Sequence, residues 1–159
     1  MINVGDAIGS SPFNATNNLQ SDLQNYSGQW IVLYFYPKDA TTGCTTEGQN
    51  FRDMHTDFVA LNTVIFGVSR DSLKSHENFK AKQAFPFELI SDTDEKLCLQ
   101  FAVIKMKSMY GKQYLGIERS TFLIDPNGVV RHVWRNVKVK GHVQAVYDAL
   151  VSCQHPKEL

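Results

Sequence analysis

Seven consecutive apolar and aromatic residues, "WIVLYFY" from Trp30 to Tyr36, constrain this chain more than any other stretch. A strand with one face in water alternates apolar and polar residues. This run does not, so it predicts a strand covered on both faces, with a layer of structure on each side. The rest of the chain supplies such layers. From Cys44 to Leu61, the residues Phe51, Met54, Phe58 and Leu61 recur at helical spacing and predict an amphipathic helix. "TVIFGVS" (Thr63 to Ser69) predicts a second buried strand. Asp71 to Gln83 opens on an N-cap type of residue and predicts a surface helix. Phe87 to Ile90 is a short strand, and Ser91 to Phe101 a short helix with Asp92 and Asp94 at its start. "STFLI" and "VVRHVW" flank "DPNG" (Asp125 to Gly128), a turn sequence, and predict a hairpin. His142 to Ser152 is a closing amphipathic helix. The order predicts an α/β fold with a central mixed sheet flanked by helices on both faces. Its strands run parallel where a helix connects them and antiparallel at the hairpin.

Several classes of function are disfavoured by composition. Lys+Arg and Asp+Glu number 16 each, so the net charge is zero, which argues against nucleic acid or an anionic membrane as the main partner. Lys105, Lys107 and Lys112 are spread through a loop-like region and are taken as solvated surface. "MINVGDAIGS" has no basic start and no apolar core, so it is no secretory signal, and no apolar run is long enough to span a bilayer. Three widely spaced cysteines, Cys44, Cys98 and Cys153, do not form a disulfide framework. Together these features place the chain in a reducing, cytosolic setting. One domain over residues 1–159 is expected, with a loose tail from about 153, "CQHPKEL".

Cys44 stands where the strand and its loop meet the helix. Unpaired N–H groups at a helix start stabilise an anion, and so the thiolate that acts as nucleophile. Gly43 removes a side chain beside the sulfur. Thr41 supplies a hydroxyl to orient an incoming oxygen, and Pro37 stiffens the loop. A buried, inert cysteine is the competing expectation. The polar company of Cys44, Thr-Thr-Gly before it and Thr-Thr-Glu after it, weighs against that.

"YPKDATTGC" carries the pattern Pro-x-x-x-Thr-x-x-Cys, and in that respect the chain resembles the peroxiredoxins. The run "VLYFYPKDATTGCTTEGQNFRD" is similar to the bacterioferritin comigratory protein / peroxiredoxin Q subfamily. So are "MYGKQYLGIERSTFLIDPNGVV" (Met109 to Val130) and "WRNVKVKGH" (Trp134 to His142). The likeness extends from about Val4 to Leu150. It implies a thioredoxin-like fold, which the element order also fits, and a thiol peroxidase without metal or other cofactor. In that resemblance Cys44 is the peroxidatic cysteine and becomes a sulfenic acid. Thr41 holds the peroxide and Pro37 shields the sulfenate. Arg119 stabilises the thiolate and the departing oxygen, and Glu47 orients from behind. The reductant is thioredoxin, glutaredoxin or a small thiol, and the protein a monomer.

The chain departs from the subfamily in two ways. Thr42 stands where proline is usual, which leaves the loop less rigid. The two positions at which members carry a resolving cysteine are Gln49 and Lys80 here. A one-cysteine enzyme with an external thiol is therefore expected. Cys98 and Cys153 are the remaining candidates for a resolving cysteine, and neither is assigned: Cys98, between two leucines, is expected to be buried and structural, and Cys153, near the tail, to be an incidental thiol unless it reaches another site or another chain. The rival expectation is a peroxide sensor, in which oxidised Cys44 signals or cross-links rather than turning over. The histidines His55, His76, His132, His142 and His155 show no metal-binding spacing and are mostly assigned to the surface. There is no Cys-x-x-Cys and no phosphate-binding loop. Phe85, Phe87 and Tyr110 are candidates for an apolar entrance favouring organic hydroperoxides.

Overall fold

A computed structural model of the chain describes residues 2–155. Its strands are β1 (Pro12–Ala15), β2 (Leu19–Asp22), β3 (Trp30–Phe35), β4 (Thr63–Ser69), β5 (Glu88–Ser91), β6 (Ile104–Met109), β7 (Lys112–Ile117), β8 (Ser120–Ile124) and β9 (Val130–Trp134). Its helices are α1 (Thr42–Ala60), α2 (Leu73–Gln83), α3 (Lys96–Gln100) and α4 (His142–Gln154), with one 3-10 turn at Leu23–Tyr26. Seven strands form one sheet in the order β2-β1-β5-β4-β3-β8-β9, and β6 and β7 form a separate hairpin. β3 pairs with β4 in parallel and with β8 antiparallel. β4 and β5 are parallel, and β8 and β9 antiparallel across the "DPNG" turn.

The apolar run of β3 divides its residues between two cores, as a period of two requires. Ile31, Leu33 and Phe35 face one, with Phe66, Phe101, Phe122 and Cys98. Trp30, Val32, Tyr34 and Tyr36 face the other, with Phe51, Phe58 and Cys44. The first core is covered by α3 and the 3-10 turn, through Leu97 and Leu23. The second is covered by α1, α2 and α4, through Phe51, Phe79 and Val146. The central sheet therefore stands between Cys44 and Cys98. On α1 a close approach demands Gly48, since a Cβ there would sit inside the ring of Phe85.

Several expectations are corrected. The 105–112 region is not a loop: its register pairs Met106 with Leu115 and Lys107 with Tyr114. β1 and β2 were not foreseen. α2 is capped by Ser72, whose side chain accepts from Ser75 N, and not by Asp71. His76 and His142 are buried rather than on the surface. Cys153 and Gln154, assigned to the tail, belong to α4, and Gln154 Nε2 donates to Leu61 O at 2.7 Å. Residues 156–159 of that tail lie outside the described residues. Asp92 does serve the start of α3, accepting from Leu97 N and Cys98 N at 3.0 and 2.8 Å.

Candidate active site

β3 delivers the chain to Pro37 at the C-terminal edge of the sheet, and α1 begins five residues later. The intervening loop is fastened at three points. Asp39 N donates to the Asp71 carboxylate at 2.9 Å, Tyr36 OH donates to Asp39 Oδ1 at 2.6 Å, and Thr41 Oγ1 donates to Lys38 O at 2.8 Å. Ala40 sits between them at φ 62°, a left-handed conformation that a non-glycine residue holds only when its surroundings impose it. Behind Asp39 lies His76 of α2, with Nδ1 2.7 Å from Asp39 Oδ2 and Nε2 2.9 Å from Ile90 O. Asp39, Asp71 and His76 form a cluster with donor atoms within 4.8 Å of one another. They are bound to one another and to Tyr36, Ser69 and Ser75, and so tie the loop to α2 and β5. Sequence spacing gave no hint of it, because His76 lies 37 residues from Asp39.

Cys44 occupies the first turn of α1. Thr41, the N-cap residue, makes no side-chain cap bond; its hydroxyl donates to Lys38 O instead. The N–H groups of that turn are left without a side-chain partner from the cap, and the oxygen of Thr41 retains its lone pairs. The Cys44 residue is 2 % exposed. Arg119, just before β8, reaches across from the neighbouring strand. Its Nη2 is 3.4 Å from Cys44 Sγ, and its Nη1 donates to Glu47 Oε1 at 2.7 Å. Gly43 makes this approach possible: a Cβ there would lie 3.1 Å from Arg119 Nη2. Burial opposes the charge of Arg119, but Glu47 and Cys44 more than offset it and raise its pKa. Cys44, Gly43, Glu47 and Arg119 are thus brought together by direct contacts. Thr41 sits one turn ahead of them, and Pro37 lies at the loop's entrance.

Glu47 is fully buried, and its Oε2 has no hydrogen-bond partner among the described residues. Burial raises its carboxyl from an ordinary 4.5 to about 7, against the charge and hydrogen bond of Arg119. The folded state therefore holds this proton more tightly than the unfolded chain. The stability that this provides is complete below about pH 4.5 and is lost as the pH rises through 7. Glu47→Gln keeps the shape without the charge. Urea melts are expected to show it more stable than the parent at pH 8, by about 3 kcal/mol at most, with the difference gone by pH 4.5. A difference that does not vary with pH would refute the buried-charge assignment.

Other groups around the site were not legible in the sequence. Tyr34 lies fully buried against Phe51, with ring centroids 4.5 Å apart, and burial followed by Glu47 and Cys44 raises its pKa. Lys107 of the hairpin is lowered by burial and by Arg119, and feels Cys44 as an opposing influence. His142 is lowered to about 4 by burial and by Arg119, and its Nε2 lies 2.8 Å from Thr121 Oγ1.

The suggested apolar entrance does not form. Phe85 and Phe87 are buried and stacked on each other, while Tyr110 is 97 % exposed on the hairpin. The remaining cysteines are remote from the site. Cys98 lies in the core on the opposite side of the sheet, and its thiol is pushed up, chiefly by burial and then by Asp92. Cys153 is next to Gln154, which is bonded to Leu61 beyond the far end of α1. At 1.5 Å of rise per residue, that is roughly 25 Å from Cys44. Of the two positions where the subfamily carries resolving cysteines, Gln49 Nε2 donates to Gln83 Oε1 at 2.9 Å, and Lys80 Nζ pairs with Glu88 Oε1 at 2.6 Å.

Comparison with known proteins follows the same lines. A model of the AhpC/TSA family matches residues 4–133. Peroxiredoxin Bcp of Xanthomonas campestris pv. campestris is 56% identical over 139 residues, covering 87% of this chain and 87% of that one. Peroxiredoxin Bcp of Bacillus subtilis is 53% identical over 128 residues, covering 80% of this chain and 82% of that one. A cysteine-to-serine mutant of Xylella fastidiosa PrxQ superposes with a TM-score of 0.94 at 45% identity, covering 98% of this chain and 99% of that one. The likeness places the mixed sheet and its helices among thioredoxin-like peroxiredoxin folds.

Proposed function

The chain belongs to the AhpC/TSA family as a Bcp/PrxQ peroxiredoxin, a thiol peroxidase, and from that premise we propose that Cys44 is its only redox-active cysteine and is regenerated by a thiol from outside. The contact of Arg119 Nη2 with Cys44 Sγ at the uncapped start of α1 supports Cys44 as the reactive thiol, and the one-cysteine reading is carried by Gln49 and Lys80 standing where a resolving cysteine would, with Cys98 across the sheet. The thiolate attacks one peroxide oxygen and breaks the O–O bond. An alcohol or water leaves with a proton, and Cys44 becomes a sulfenic acid. Thr41 accepts a hydrogen bond from the peroxide's O–H. Arg119 faces the charge as it moves from sulfur to the leaving oxygen. Glu47 holds Arg119 in place, and Pro37 screens the sulfenate. An incoming thiol then attacks the sulfenic sulfur and releases water, leaving a mixed disulfide. A second thiol resolves that disulfide, freeing Cys44 and carrying away the oxidised dithiol.

The Xanthomonas campestris bacterioferritin comigratory protein has alkyl peroxide reduction activity. Hydrogen peroxide and organic hydroperoxides are the substrates proposed here. The reductant is thioredoxin, glutaredoxin or a small thiol. The chain works as one domain over residues 1–159, as a monomer in the cytosol; no described helix is long and apolar enough to cross a membrane.

Peroxiredoxin Q of Xanthomonas campestris has been solved with each of two cysteines replaced by serine, and the spacing between those two, counted on from Cys44, falls on Lys80 here. Lys80→Cys is therefore expected to create an internal partner. After one equivalent of peroxide, non-reducing peptide mapping should show a disulfide between Cys44 and the introduced cysteine in the variant, and no internal disulfide in the parent. An internal disulfide in the parent would overturn the one-cysteine assignment. Peroxide consumption sustained for many turnovers with a thioredoxin or glutaredoxin system separates the enzyme from a sensor, which would oxidise once and stop.

A further inference from the structure

Nine large apolar side chains are exposed among the described residues, and five of them share one element: Met106, Met109, Tyr110, Tyr114 and Leu115 of the β6–β7 hairpin. The hairpin lies outside the seven-stranded sheet. It is fastened near its base by Glu118 N to Val103 O at 2.7 Å and Arg70 Nη2 to Leu115 O at 3.2 Å. Paired residues of an antiparallel ribbon share a face. Met106 and Leu115 lie on one, at 60 % and 57 % exposure, and Lys107 and Tyr114 on the other. Near the base Lys105 and Lys107 are half-buried and Ile117 is buried, but toward the tip Met109 and Tyr114 stand open beside Lys112 on the lysine face, and an apolar cluster left open on a folded protein marks a contact surface.

Charge and position say what the surface contacts. Between Ile104 and Ile117 the hairpin carries Lys105, Lys107 and Lys112 and no acidic residue. Its second strand runs directly into Glu118 and Arg119, and so to Cys44. On the other side of the site, Lys138 and Lys140 are exposed around Val139, which lies 3.9 Å from a Cβ built at Gly43. The approach to Cys44 is thus basic on two segments and apolar on one. We propose that the β6–β7 hairpin is the docking surface of the protein reductant, a dithiol protein with an acidic, partly apolar face around its reactive cysteine. Opposite charge steers the encounter, and Met109 and Tyr114, on the face that the lysines share, hold it; methionine adapts its shape to a partner. A second copy of this chain fits poorly, because a two-fold contact would set the same three lysines against each other. The inference rests on the external-thiol reading of Cys44. It adds where the thiol comes from and what guides it. The exchange is the one already written: the partner's first thiol displaces water from the sulfenic sulfur, and its second leaves the partner as a disulfide.

The test compares Met109→Ser/Tyr114→Ser and Lys105→Glu/Lys112→Glu with the parent in three assays: turnover with thioredoxin regenerated by its reductase and NADPH, turnover with dithiothreitol, and single-turnover oxidation by hydrogen peroxide. Both variants are expected to lose about tenfold or more in kcat/KM with thioredoxin, through KM. Dithiothreitol turnover and peroxide oxidation should change less than about twofold, since neither needs the hairpin. Raising the salt from about 50 to about 300 mM should slow the parent's reaction with thioredoxin and leave that with dithiothreitol unchanged. Thioredoxin kinetics unchanged in both variants would overturn the proposal. So would a parent that turns over with dithiothreitol but not with thioredoxin, or a dimer in sedimentation that Met109→Ser/Tyr114→Ser dissolves. Loss of lipid-vesicle binding in the lysine variant, with thioredoxin kinetics intact, would assign the hairpin to a membrane surface instead. No turnover with either reductant would bring down the external-thiol reading itself.

Discussion

Cys44→Ser is expected to reduce peroxide consumption by a factor on the order of 10⁴ or more, the scale on which enzymes lose activity with their nucleophile. A serine hydroxyl in the first turn of α1 has the same neighbours: the uncapped N–H groups, and Arg119 within reach. These groups stabilise an anion but cannot make a hydroxyl ionise as a thiol does, and oxygen has no route to a sulfenic acid. The protein should fold as before, because the substitution exchanges one small atom for another beside Gly43. Cys98→Ser and Cys153→Ser complete the comparison. With the sheet on one side and the length of α1 on the other, both should retain the parent's consumption of peroxide with an external thiol to within about twofold. A loss with Cys153→Ser comparable to that with Cys44→Ser would mean that α4 opens during turnover.

Arg119→Met carries the second-largest effect. It removes the donor at Cys44 Sγ and, with it, the group proposed to face the leaving oxygen. A donor of this kind is worth roughly 10²–10³ in rate, so the second-order rate constant with hydrogen peroxide should fall by that factor. The substitution also strips Glu47 of its hydrogen-bonded partner and leaves both carboxylate oxygens buried and unpaired. Breaking a buried pair in this way costs about 3–5 kcal/mol, and Glu47 relieves part of it by holding its proton to still higher pH. Stability and chemistry can be separated by adding Glu47→Gln. The double variant should recover much of the lost stability and none of the rate. Recovery of the rate together with the stability would make Arg119 a structural residue only.

The residues to which the proposed chemistry is assigned could be picked out because most of them are local in sequence. Pro37, Thr41, Gly43, Cys44 and Glu47 lie within one loop and the first two turns of α1, above the apolar run of β3. Arg119 was found only by resemblance, since nothing in its own surroundings marks an arginine 75 residues away as a partner of Cys44. What escaped was either non-local or misleading in composition. His76 sits on a polar helix and is buried only because Asp39 and Ile90 O enclose it. β6, "IKMKSM", does alternate apolar and polar residues and could have been read as a strand, whereas its partner β7, "KQYLGI", lacks that alternation. Phe85 and Phe87 do not share a rim with Tyr110, because the bare backbone of Gly48 lets Phe85 sink beneath α1. Within α1, Glu47 falls on the buried side of a helix whose period Phe51 and Phe58 already mark. Its burial could have been inferred from that period alone.

One measurement tests most directly whether Cys44 works alone: the intact mass of the fully reduced protein after one equivalent of hydrogen peroxide, with Cys44→Ser alongside. The expected result is the gain of a single oxygen, absent from the serine variant and reversed by an added thiol. The loss of two hydrogens, or a linked dimer, would show that a second cysteine resolves the sulfenic acid and would contradict it. An unchanged mass would contradict the reaction at Cys44 altogether.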